Sequence, residues 1–211
     1  MTISGGHVVE IAEAAPALEL LGMPEADFEQ LADEALTDDG ERPSEIADNV
    51  AQLERLAQTD DLTGLANRRH WLQVAREVLG TGRRGSMLLC DVDAFKQFND
   101  RLGHRTGDLV LTEVARILSS HGRAGRLGGD EFVLWLDGDH EAAQAIAQTV
   151  LVEASGALSR ATGDQPFATL SIGVAECVGD VGLADLLDAA DDALYRAKAG
   201  GGNAVVVGVG E

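Results

Sequence analysis

Two acidic clusters in this chain could do chemistry together. Residues 126–132 read Arg-Leu-Gly-Gly-Asp-Glu-Phe, and residues 91–93 read Asp-Val-Asp at the end of the apolar run Met87 to Val92. Gly128 and Gly129 separate two strand-like stretches, Arg123 to Leu127 and Glu131 to Leu136, so they read as a tight hairpin turn. Glycine there permits positive φ and lets a large ligand approach the backbone. Asp130 and Glu131 set two carboxylates at the edge of that opening. Asp91 closes a hydrophobic strand, where a charge is costly unless it is solvated, paired or bound to a metal. Oxygen donors from Asp91, the Val92 backbone carbonyl, Asp130 and Glu131 would make a hard-cation site suited to Mg2+, with phosphates filling the remaining positions. Asp93, two residues on, would share the face of Asp91 in an extended chain. Each motif also has a plainer reading, since Gly-Gly-Asp is common in ordinary turns and Asp-x-Asp after a strand often caps a helix.

The segment from Phe95 to Asp108 supplies Lys96, Asn99, His104 and Asp108 in short order. Asn99 and Asp108 offer complementary donor and acceptor groups of the kind a guanine edge requires. Asp108 could equally cap the helix that follows, and His104 could be a satisfied loop histidine. Near the end, Leu194 falls on the core side of a helix that also carries Lys198, either an anchor for phosphates or a solvated lysine.

These residues need a scaffold, and the hydrophobic periodicity supplies one. Helical spacing covers Asn67 to Leu79, Gly107 to Ser119, Glu141 to Leu158 and Leu183 to Ala199. Strands are predicted at Met87 to Val92, on both sides of the glycine pair, at Phe167 to Glu176 and at Ala204 to Val207. Helices between paired strands, with one antiparallel hairpin, predict an α/β sandwich (α+β): a mixed sheet covered by helices. The chain has 211 residues, 45% of them hydrophobic, enough for one well-buried domain with an appendage. Its formal net charge of -20 argues against polymeric nucleic acid and anionic membranes as partners. No apolar run approaches the roughly 20 residues of a membrane span, and the first residues lack a signal-peptide pattern, so a cytoplasmic location is expected. Cys90 and Cys177 show no metal-ligand spacing and read as buried free thiols.

Four ordered blocks together resemble the GGDEF family of diguanylate cyclases, which make cyclic di-GMP from two GTP. They are Asp61 to Arg69 (Asp-Leu-Thr-Gly-Leu-Ala-Asn-Arg-Arg), Asp91 to Asp108, Arg126 to Phe132, and Tyr195 to Lys198 with Asn203. The resemblance covers about Thr59 to Val207 and implies a ferredoxin-like palm of the nucleotidyl-cyclase kind. It implies Asp91, the Val92 carbonyl, Asp130 and Glu131 as ligands of Mg2+, or of Mn2+ in its place. Asp130 or Glu131 would help to deprotonate the attacking hydroxyl, Asn99, His104 and Asp108 would lie on the guanine side, and Lys96 and Lys198 near the triphosphate. Gly128 and Gly129 would let the phosphates approach the backbone. Since each domain would hold one GTP, the resemblance implies a homodimer. Two positions depart from the family pattern. The stretch Ser119 to Gly125 lacks the Arg-x-x-Asp pair of the product-inhibition site, and Gly202 stands where an arginine is usual.

Residues 1–58 differ from the remainder, being rich in Ala, Glu and Asp. Helical patterns run from Val8 to Leu21, Glu25 to Leu36 and Ser44 to Gln58, the last with Ile46, Val50, Leu53 and Ala57 alternating by four and three. This stripe suits a short dimer stalk or a plain amphipathic helix packed on the next domain. The expected organisation is a helical regulatory or dimerisation segment, 1–58, which could also receive a regulatory partner, before a catalytic domain, 59–211. The rival expectation is a catalytically weak module that binds GTP and signals through a partner protein.

Overall fold

A computed structural model describes residues 57–162, 168–179 and 181–208. The helices expected before residue 57 lie outside the described residues, as does Phe167. In chain order the elements are β1 (Ala66–Asn67), α1 (Arg68–Gly80), β2 (Gly85–Val92), α2 (Phe95–Leu102), α3 (His104–His121), β3 (Arg123–Gly128), β4 (Glu131–Asp137), α4 (His140–Thr162), β5 (Leu170–Cys177), α5 (Leu183–Ala199) and β6 (Val205–Val207). The sheet order is β1-β3-β4-β2-β5-β6. Its four inner strands are all antiparallel, and the edge pairs β1 with β3 and β5 with β6 are parallel. β2, α2–α3, β3, β4, α4 and β5 therefore trace the β-α-β-β-α-β path of a ferredoxin-like fold.

The sheet is covered on both sides, which is why all eight residues of β2 are buried. Because successive strand residues point to opposite faces, Leu88, Cys90 and Val92 enter one core with Phe132, Leu134, Val110, Leu118, Val150 and Leu158. Met87 and Leu89 enter the other with Val133, Trp135, Trp71, Leu186 and Leu194. Burial of this extent is the main driving force for the domain. Gly173 in β5 has no side chain, and the backbone of α5 at Ala190 and Leu194 occupies the space a Cβ would take. That close approach seats α5, and with it Lys198, directly on the sheet.

The expected helices and strands recur with shifted ends, and two elements were not foreseen. α5 has the bounds read from the sequence, and Asn67 caps α1 by accepting a hydrogen bond from His70 N. α2 was not anticipated, although Phe95, Phe98 and Leu102 have helical spacing. α3 begins at His104 rather than Gly107, because the break between the two helices is Gly103 at φ +83°. Asp108 is thus inside α3 and does not cap it. β1 is a two-residue strand too short to carry periodicity. Among the described residues, no helix is long and apolar enough to cross a membrane.

Candidate active site

The carboxylates meet where β2 ends beside the β3–β4 turn. Sheet register sets Asp91 opposite Glu131, and Val92 N donates to the Asp130 carbonyl at 3.3 Å. The turn is the tight hairpin expected, with Gly128 at φ +150° and Gly129 at φ +52°. No atom lies within 4 Å of where a Cβ would project from either glycine, so the backbone conformation, and not crowding by neighbours, calls for glycine here. The side chain of Asp91 has the parity of Met87 and Leu89 and so faces α5. Lys198, in the last turn of that helix, places Nζ 2.7 Å from Asp91 Oδ2. Burial pushes the Asp91 carboxyl up to about 6, and the neighbouring Asp130 and Glu131 charges push the same way, against the pull of Lys198.

An open cavity of about 530 Å³ lies over this cluster, lined by Asp91, Val92, Lys96, Asp130 and Lys198 together with Gly202. Five of the residues selected from the sequence therefore surround one space. Glu131, Gly128 and Gly129 stand beside it without lining it. The three residues selected for the base do not line it either. His104 and Asp108 are exposed on the first turns of α3, four residues apart and so on one side of the helix. Asn99 projects from α2 toward α3, its Oδ1 in the space a Gly107 side chain would occupy and without a hydrogen-bond partner.

Asp93, just beyond the end of β2, lines the same cavity and lies on the side that Asp91 faces, beside Ser171, the cross-strand partner of Asp91. The Asp93 carboxylate accepts hydrogen bonds from Thr169 Oγ1 at 2.7 Å, Ser171 Oγ at 2.6 Å and Asn203 N at 2.9 Å. Those bonds pin the loop after α5 to the sheet. Gly202, at φ +75°, brings its backbone so close that a Cβ would press on the Asp93 carboxylate.

Two further residues have roles that the sequence reading did not assign: Arg126, quoted only as the first residue of the glycine motif, and Asp60, which was not singled out. Arg126 donates through Nη1 to both carboxylate oxygens of Asp60, at 2.9 and 3.1 Å, and through Nε and Nη2 to the Gly129 carbonyl, at 3.0 and 2.6 Å. One guanidinium thus braces the glycine turn from below and ties it to the segment before β1. Asp60 also accepts from Thr63 N and Oγ1. Burial alone would raise its carboxyl, but the Thr63 and Arg126 hydrogen bonds and the Arg126 charge together hold it below the usual value. The available signal was Asp60 itself, one position before the first motif as read from the sequence.

The donors around Asp91 are all hard oxygens. Among the described residues, no three acidic, histidine or cysteine side chains form a ready cage for an ion. One or two carboxylates with a carbonyl, completed by phosphate and water oxygens, is how Mg2+ is ordinarily held, so the residues present fit such an ion.

A ferredoxin-like palm with acidic groups at the end of its central strand and on the adjacent glycine hairpin defines the class of protein. The family model "Diguanylate cyclase, GGDEF domain" matches residues 57–204, and the chain belongs to the GGDEF family. It is 40% identical over 164 residues to diguanylate cyclase DgcM of Escherichia coli K12, covering 74% of this chain and 39% of that protein. It is 41% identical over 175 residues to the response regulator PleD of Caulobacter vibrioides, covering 76% of this chain and 38% of that protein. The match thus spans about two fifths of the length of these relatives. Among solved structures, the coiled coil and GGDEF domain of DgcB from Caulobacter crescentus, in complex with c-di-GMP, superposes with a TM-score of 0.72 at 29% identity, covering 84% of this chain and 97% of that one. Diguanylate cyclase SiaD of Pseudomonas aeruginosa, in complex with its activator SiaC, gives a TM-score of 0.67 at 29% identity, with 95% and 83% covered.

Proposed function

We propose that this protein is a diguanylate cyclase that condenses two GTP into cyclic di-GMP and two pyrophosphates. The observation that carries the reading is the sheet register that brings Asp91 against Asp130 and Glu131 beside a cavity also lined by Lys96 and Lys198. In this reading Asp91, the Val92 carbonyl and Asp130, with Glu131 beside them, hold Mg2+ or Mn2+. The bound cation would supply neutralising charge where the phosphates crowd together. Lys96 receives the triphosphate, and the open hairpin glycines leave room for it. Asp130 or Glu131 accepts the proton of a ribose 3'-hydroxyl. That oxygen forms its bond to the α-phosphorus of the other GTP as the bond to pyrophosphate breaks, and the exchange is repeated to close the ring. Catalysis is then largely positioning and electrostatics. Asn99, His104 and Asp108 hold the guanine from the α2–α3 side, where Asp108 accepts from N1 and N2 hydrogens that adenine lacks.

Each domain binds one GTP, so two domains must face each other. Residues 1–58 serve as the dimerising or regulatory segment ahead of the catalytic domain, 59–211, or as the seat of a partner. The coiled coil of DgcB and the activator in complex with SiaD support that reading. Incubating the full chain with GTP and Mg2+ and resolving the products by chromatography and mass tests the activity, with loss of product on adding EDTA. GTP recovered unchanged across protein concentrations would leave the second reading, a GTP-binding module that signals through a partner. Gly202, in place of the usual arginine, is the residue that favours this alternative, since it removes a charge-assisted contact to phosphate. Deleting residues 1–58 should lower specific activity about tenfold in dilute solution and restore it as protein concentration rises. Specific activity independent of dilution would show that the segment does not dimerise the domain.

A further inference from the structure

The two lysines of the cavity are not equivalent. Lys96 is exposed and has no hydrogen-bonded or ionic partner among the described residues, whereas Lys198 is committed to Asp91 at 2.7 Å. The carboxylate it holds is the buried one of the site, with Asp91 only 6% exposed, and Asp130 and Glu131 add negative charge beside it. A buried carboxylate beside two others is costly without a cation paired to it, and Lys198 is that cation. Yet the oxygen it occupies belongs to the residue that would ligate the metal, and two cations repel each other strongly at such short range. Lys198 is also placed to leave, because it sits in the last turn of α5, is partly exposed, and lines the cavity into which its ammonium would swing.

We propose that Lys198 is the resident counter-ion of Asp91, excluding free divalent cations from the nucleotide-free site and yielding its place only when a metal–nucleotide complex arrives. The phosphates of that complex receive the displaced ammonium, so no charge is left unpaired. Metal and nucleotide then enter together. The inference rests on the GTP-binding reading of the site.

Mn2+ titrated into the 211-residue chain without nucleotide, in mildly alkaline buffer with free Mn2+ followed by electron paramagnetic resonance, tests it. The unaltered protein should bind the ion weakly, and Lys198→Met should bind it at least about tenfold more tightly, or about 1.4 kcal/mol. Lys198→Gln should behave as Lys198→Met, and Lys198→Arg, which keeps the cation, should stay near the unaltered protein. Adding Asp91→Asn to Lys198→Met should remove the gain, placing the effect at that carboxylate. Equal Mn2+ affinity with and without Lys198, in proteins of native melting temperature, overturns the proposal. So does tight nucleotide-free binding by the unaltered protein. A parallel titration with a non-hydrolysable GTP analogue separates the two levels. Analogue-dependent uptake by the unaltered protein, with no change in the variants without nucleotide, sinks the counter-ion role alone. No uptake even with the analogue sinks the nucleotide reading beneath it.

Discussion

The strand-built and the helix-built halves of the proposed site are made on different principles. Asp91, Asp130 and Glu131 stand on adjoining strands and the turn joining them, where backbone hydrogen bonds and register fix their separation before any ligand arrives. Asn99, His104 and Asp108 stand on α2 and α3, outside the cavity, and Asn99 keeps an acceptor without a partner. The strand end is thus charged and already in place, and the helix end is exposed at His104 and Asp108, while the Asn99 Oδ1 is buried against Gly107 without a partner. A rigid sheet edge suits chemistry that depends on placing charge accurately, and an exposed pair of helix turns suits recognition of a base edge.

The sharpest way to break this contrast is Asp91→Asn. Product formation from GTP should fall about a thousandfold while the melting temperature holds, because the amide fills the same space and the partly exposed Lys198 that loses its partner can turn to solvent. Near-normal turnover in the folded variant would remove the strand end from the chemistry. Asp108→Ser probes the other half. Turnover should survive, but the preference for GTP over ATP should loosen by about a hundredfold, as competition between the two nucleotides would show. An unchanged preference would detach α3 from the base.

Arg126→Met tests the brace between them. Losing the bonds to Asp60 and to the Gly129 carbonyl should cost about 2 kcal/mol in chemical denaturation, and should slow turnover by loosening the turn that carries Asp130. A variant with unchanged stability and rate would show the turn to be self-supporting. The smallest effect concerns pH. Because the Asp60 carboxyl is held below its ordinary 3.8, its contribution to stability is complete above that value and is lost as pH falls through the lowered one. Asp60→Asn should therefore be less stable than the unaltered protein near neutrality, and the difference should shrink in acid. A gap of constant size down to the lowest pH would mean that the pair contributes through packing and not through charge.

Much of this was legible from local pattern. The apolar run ending at Asp91, the glycine pair between strand-like stretches and the helical spacing of Leu183 to Ala199 are short-range signals, and each element formed where its pattern lay. Local pattern misplaced what lies between elements. Phe95 to Asp108 read as one segment because a helix of eight residues carries only two turns of periodicity, and the break at Gly103 depends on a positive φ. The two-residue β1 carries no periodicity at all.

The sequence by itself determined which residue types were present and which short elements would carry them, since helical and strand periodicity are properties of neighbours along the chain. Only the tertiary structure decided how they are used. Asp91 and Asp93 are chemically identical, two residues apart and beside one cavity, yet the first is paired with Lys198 and the second is taken up by Thr169, Ser171 and Asn203. Lys96 and Lys198 read alike as phosphate cations, yet the close seating of α5 on Gly173 gives the second a carboxylate to hold. Arg126 meets Asp60 across 66 positions. Pairings of this kind depend on register and helix docking, and those are settled by packing of the whole sheet.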